Sequence, residues 1–109
     1  MIHKTANDVF YRSKLGSTLS KLQIKEIIVT GSATDFCVDS TVKSALTDDY
    51  TVTVVADGHT TSDRPDLRAE QVINHYNWVS SNILPTKGKI IVKNYYEIKN
   101  EISESLAHP

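Results

Sequence analysis

The stretch Glu26-Ile27-Ile28-Val29-Thr30-Gly31, running on into Ser32-Ala33-Thr34-Asp35-Phe36-Cys37-Val38, decides how the rest of the chain is read. Its first half is β-branched, almost continuously apolar, and ends in Gly. That pattern predicts a strand buried on both faces, as in a parallel sheet. Residues 51–57, Thr-Val-Thr-Val-Val-Ala-Asp, predict a second strand. Residues 89–93 predict a shorter third, and Ile2 and His3 read as the tail of a fourth.

Helical patterns lie between these runs. Val38, Val42, Ala45 and Leu46 fall on one helical face. That helix is expected to start at Thr34 or Asp35, both good N-cap types, and to stop near Asp48 and Asp49. Pro65-Asp66-Leu67 is expected to open a longer helix, since proline suits the first turn. Its apolar stripe would be Leu67, Val72, Ile73, Tyr76, Val79 and Ile83, with Pro85 beyond its end. Shorter helices are expected over 17–22 and 96–106, and 58–66 reads as a polar loop. Helices thus alternate with strands throughout. The expected fold is α/β, a three-layer α/β/α arrangement around a mostly parallel, Rossmann-like sheet with right-handed crossovers. It would form one domain over residues 1–109.

Composition narrows the function classes. The chain has 109 residues, 12 Lys and Arg against 13 Asp and Glu, and a net charge of −1. That balance argues against nucleic-acid binding by bulk electrostatics. No apolar run is long enough for a membrane helix, and the start Met-Ile-His-Lys resembles no targeting peptide. One cysteine, Cys37, excludes an internal disulfide and a cysteine metal cluster. A cytoplasmic, reducing setting is expected. His3 and His75 lack metal-ligand spacing with any partner, and Gly31 stands alone without a phosphate-loop pattern. No cofactor and no metal are expected.

Open parallel sheets bind ligands beyond the carboxyl ends of their strands. Two such ends are visible, at Gly31 to Cys37 and at Asp57 to Thr61. Cys37 then falls in the first turn of a helix, where backbone N–H groups point outward. A thiolate is the nucleophilic form, and a helix N-terminus favours it by about 0.3–2 kcal/mol. That moves a thiol from ~8.5 by about one unit at best. A lysine ammonium ~4 Å away contributes about 4 kcal/mol at an effective dielectric near 20. A reactive Cys37 therefore needs a cation, and the cation is the larger effect. The bland reading is a small buried hydrophobe near a helix start. His59, at a strand's carboxyl end, is either a wall of the substrate pocket or an exposed loop histidine. Phe10 and Phe36 are candidate pocket walls. Asp35 reads first as a helix cap.

Residues 29–38, with Thr41 and Ala45 following on the helix, resemble the nucleophile motif of the isochorismatase-like cysteine hydrolases. Residues 50–57 are similar to that family's next strand, with Gly58 where Ala is commoner. Ile2-His3-Lys4 resembles the strand end that carries the family's lysine. Phe10 and Leu15 match the apolar positions after it, and Ser13 stands near a usual Thr. The resemblance covers residues 2–92. It implies an α/β hydrolase with Cys37 as nucleophile and Lys4 as its cation. It also implies a non-proline cis peptide at Ala33–Thr34, and an oxyanion hole built from the N–H groups of Thr34 and Cys37. The substrate would be a small molecule with an amide, enol ether or related electrophilic carbon.

The same resemblance implies a third residue, an Asp far upstream of the lysine. Only Met1, Ile2 and His3 precede Lys4 here. The chain therefore reads as the C-terminal part of the family's domain, truncated at its N-terminus. That leaves a second function class open, a catalytically incomplete module that only binds or oligomerises. A thiol redox protein is a third, with no resolving cysteine to support it. An apolar strand edge left without its neighbour predicts a homo-oligomer.

Overall fold

Val52 and Val54 are 0% and 2% exposed and mark the centre of the sheet. The structure, a computed structural model, describes residues 14–85 and 87–107. It runs α1 (Leu15–Lys21), β1 (Glu26–Ser32), a π-helical turn (Thr34–Val38), α2 (Asp39–Thr47), β2 (Thr51–Thr60), α3 (Ala69–Asn82), β3 (Ile90–Lys93) and α4 (Tyr95–Ala107). The strands form one parallel sheet in the order β1-β2-β3. The mixed α/β architecture expected from the alternation is present. The anticipated strand at Ile2 and His3 lies outside the described residues.

Alternation along β2 separates two packing faces. Val52 and Val54 join Val29, Val38, Val42, Ala45, Leu46 and Tyr50 in one buried cluster, to which α2 contributes Val42, Ala45 and Leu46. Val55 points the other way. Val72 of α3 and Ile98 of α4 are buried outside that cluster, on helices that also pack against β2. Burial of apolar side chains of this kind is worth about 1.5–3 kcal/mol each.

Three expectations need correction. First, β1 is not buried on both faces. Val29 is buried, but Ile28 is 55% exposed. Helix α3 packs on β2 and β3 and α4 on β2, and β1 forms the outer edge of the described sheet.

Second, β2 does not end at Asp57. It continues through Gly58, His59 and Thr60. The register explains this. Val29 pairs with Val54, but Gly31 pairs with His59, so two residues on β1 are matched by five on β2. Gly31, at φ 118°, supplies a conformation that few other residues adopt. The glycine that reads as a strand end lies inside β1, beside a register shift whose extra residues, between Val54 and His59, fall on β2.

Third, α3 begins at Ala69, not at Pro65. Asp63 Oδ1 accepts the Ala69 N–H and Gln71 Oε1 accepts the Arg68 N–H, both at 2.8 Å. These acceptors satisfy the first helical donors, which sets the start. Leu67, expected on the apolar stripe, is 48% exposed in the preceding loop.

Candidate active site

The chain leaves β1 at Ser32 and enters the turn that carries Cys37. A cis peptide joins Ser32 to Ala33. The expected position is Ala33–Thr34, so the cis bond falls one link earlier. Ala33 is extended, and its carbonyl accepts N–H bonds from Phe36 and Val38, one on either side of Cys37. Thr34 is thereby the first residue of the helical turn. The helix is capped by this backbone arrangement, with no side-chain cap from Thr34 or Asp35.

Cys37 is half-buried and lines a cleft of about 410 Å³. Its lining also takes in β1 from Ile27 to Ser32, and Leu15 and Leu19 of α1. The cleft is mostly apolar at its walls and runs along the edge strand β1, and Cys37 enters its lining from the turn beyond that strand's carboxyl end. Lys4 and Phe10 lie outside the described residues. Phe36 is not among the cleft's lining residues. It is 49% exposed, and the Arg64 guanidinium sits over its ring at 4.8 Å.

His59 is neither an exposed loop residue nor part of the cleft lining. It is 2% exposed, and its two ring nitrogens have partners. Nδ1 lies 2.8 Å from the Thr34 hydroxyl, and Nε2 lies 2.7 Å from Asn77 Oδ1. Asn77 Nδ2 donates to the Ala56 carbonyl at 3.0 Å, which fixes the amide's orientation. Oδ1 is then the acceptor, so in the neutral imidazole His59 Nε2 carries the proton and Nδ1 has a lone pair. The Thr34 hydroxyl donates to it. Thr34 is fully buried, so this bond has no competing water.

The neighbouring residue is tied to the same segment. Asp35 accepts from Arg64 Nε and Nη2, and from the Thr61 hydroxyl at 2.9 Å. Arg64's paired hydrogen bonds hold the Asp35 carboxyl at about 2, with Thr61 helping and partial desolvation opposing. Thr34, Asp35 and Phe36 therefore each engage residues 59–64. Asp57, at the strand end singled out in the sequence, accepts the Tyr95 N–H at 2.7 Å and helps start α4.

Asn77, Thr61 and Arg64 are not legible in the sequence as site residues. Asn77 is a half-buried polar residue within an amphipathic helix, and Arg64 lies in a loop with no pattern. Among the described residues, no group of three His, Cys, Asp or Glu could hold a metal ion. Among them, no helix is long and apolar enough to cross a membrane.

A parallel α/β sheet with helices packed on it and a cysteine-lined cleft along its edge strand is a Rossmann-like arrangement. The isochorismatase domain model matches residues 1–84, and the chain belongs to the isochorismatase family. It is 32% identical over 84 residues to the ureidoacrylate amidohydrolase RutB of Caulobacter vibrioides, covering 73% of this chain and 37% of that one. The nicotinamidase SaPncA of Staphylococcus aureus is 26% identical, with a TM-score of 0.64, covering 81% of this chain and 52% of that one. A cysteine hydrolase of Pseudomonas syringae shares the fold at a TM-score of 0.84 and 21% identity, over 95% of this chain and 49% of that one. The chain thus spans about half the length of these solved structures, and little more than a third of the curated relative.

Proposed function

We propose that this domain hydrolyses a small-molecule amide or related electrophilic carbon, with Cys37 as the nucleophile. The observation that carries this reading is the placement of Cys37. It stands in the turn beyond β1 and lines a cleft, in a family whose relatives include an amidohydrolase and a nicotinamidase. In the proposed reaction the thiolate sulfur attacks the substrate carbon and the C–O π electrons move to oxygen. N–H groups of the first helical turn, those of Thr34 and Cys37, stabilise that oxyanion. Its collapse breaks the C–N bond, and the amine leaves with the proton that the Cys37 thiol gave up on ionising. Water then cleaves the thioester, releasing the acid and restoring the thiol. Lys4 is proposed, by resemblance, as the cation that favours the thiolate. Phe10 is proposed, on its sequence placement beside Lys4, as a pocket wall. Phe36 stands exposed on the Cys37 turn, where it can meet substrate from the solvent side. A cytoplasmic setting belongs to the same reading, because the thiol must stay reduced.

The test uses nicotinamide, followed by ammonia release, and ureidoacrylate, followed by its disappearance. Turnover of either that Cys37→Ser abolishes supports the proposal; turnover that survives defeats it. Iodoacetamide labelling of Cys37 against pH gives a second reading, with the midpoint moving up in Lys4→Ala. A midpoint indifferent to Lys4 removes the lysine's role.

A second reading is favoured by one observation, that the chain spans about half its solved relatives. On this reading the chain binds or self-associates without catalysis, and the absence of any Cys37-dependent turnover supports it. Self-association is proposed under both readings. β1 is the edge of the described sheet, and Leu22, Ile24 and Ile28 are exposed on it or just before it.

A further inference from the structure

We infer that His59 is a positioning residue for the nucleophile, acting through the hydroxyl of Thr34. The inference rests on the reading of Cys37 as nucleophile and deepens it.

A buried histidine needs partners for both ring nitrogens. Those of His59 are paired, and the chain of partners runs in one direction only. Ala56 O accepts from Asn77, Asn77 accepts from His59 Nε2–H, and His59 Nδ1 accepts from Thr34. In the neutral ring the polarity of this chain sets the role of the Thr34 hydroxyl. It donates, and its rotor is locked. Thr34 opens the five-residue turn that holds Cys37, and its carbonyl accepts the Asp39 N–H that closes that turn. Side chain and backbone of one residue thus link the centre of the fold to the frame around the thiol. The register shift pairs His59 with Gly31, three residues before Thr34, and the hydrogen bond to Thr34 brings the ring to the start of this turn.

Locking this residue matters because the geometry it controls is demanding. The first-turn N–H groups must meet an oxyanion while the sulfur meets the carbon. A misplacement of about 1 Å in such a site can cost on the order of 100-fold in rate. The Asp35–Arg64 pair restrains the next residue from outside, half-exposed. The His59–Thr34 bond restrains Thr34 from within, where water cannot substitute for a lost partner.

Asparagine and glutamine separate the two ring nitrogens. His59→Asn places an amide oxygen near Nδ1, so it keeps an acceptor for Thr34 and loses the donor to Asn77. His59→Gln places its amide near Nε2, so it keeps the contact to Asn77 and loses the acceptor. Each variant forfeits one buried hydrogen bond, so each should lose a similar share of melting temperature. A purely structural role predicts equal effects on the thiol as well. The positioning role predicts that Cys37 alkylation by iodoacetamide stays within about threefold of wild type in His59→Asn and falls about tenfold or more in His59→Gln. In a Thr34→Val background the difference between Asn and Gln should vanish.

The full 109-residue chain is used throughout, with melting temperature measured beside alkylation. Should His59→Gln fail to fold, Thr34→Ser and Thr34→Val make the same comparison, since Ser keeps the donor and Val removes it. Equal alkylation rates across either pair overturn the inference. Hydrolysis that survives Cys37→Ser defeats the nucleophile reading instead. Cys37-dependent hydrolysis with Asn and Gln variants alike defeats only the role of His59.

Discussion

Arg64 holds Asp35 through two parallel hydrogen bonds, Nε to Oδ2 and Nη2 to Oδ1, each 2.8 Å long. The planar guanidinium matches both carboxylate oxygens at once, which a lysine cannot do. Arg64 Nη2 also reaches the Thr61 hydroxyl at 2.8 Å, so the fork is set against its own loop. The result ties the loop after β2 to the turn that carries Cys37.

This pair makes a prediction in acid. Asp35 titrates at about 2 in the folded protein against an ordinary 3.8. A depressed folded value means that the ionised pair stabilises the fold above the ordinary value, and that this contribution is lost as pH falls towards 2. Asp35→Asn removes the linked proton. Urea midpoints followed across that window should fall less steeply in Asp35→Asn than in wild type. Equal slopes would show that the pair adds no linked stability.

The fork geometry makes another. Arg64→Lys keeps the charge but loses the paired hydrogen bonds and the flat contact with Phe36. Its melting temperature should lie nearer to that of Arg64→Ala than to wild type. A lysine variant as stable as wild type would reduce the contact to simple charge attraction.

Gly58 stands where the family resemblance suggests alanine. A Cβ there would lie 2.7 Å from both Cβ and Cγ1 of Val55, closer than real contacts allow. Val55 is buried and cannot swing away. Gly58→Ala should therefore destabilise the protein by about 1–3 kcal/mol through overpacking. Chemical unfolding measures this directly, and a neutral substitution would mean that the strand shifts to make room.

The exposed edge carries the fourth prediction. Ile28 is 55% exposed on β1, and a charge there blunts strand-to-strand pairing. Ile28→Lys should shift sedimentation towards monomer at concentrations where wild type self-associates. A wild-type chain that sediments as a clean monomer at high concentration removes the proposal altogether.

Much of the fold is legible in the amino-acid sequence. The apolar runs at 26–31, 51–57 and 89–93 locate the strands, because a buried strand needs β-branched side chains on its faces. The stripe Val38, Val42, Ala45, Leu46 locates the helix after Cys37, because period 3.6 places those residues together. Boundaries are less legible. Helix α3 starts late because Asp63 and Gln71, not Pro65, supply its acceptors. Strand β2 runs on because it takes up extra residues between Val54 and His59 and then pairs again with Gly31 and Ser32, and pairing between strands is not written in either strand alone.

Sequence by itself determined the parallel α/β class and put Cys37 just beyond a strand end. Both follow from local rules of periodicity, propensity and crossover handedness. Only the tertiary structure decided what surrounds that cysteine. His59 reads as a loop residue until the register shift draws it inside, and Asp35 reads as a helix cap until Arg64, 29 residues on, takes its carboxylate. Hydrogen bonds between residues so distant in the chain depend on where the backbone brings them, and no local pattern carries that information.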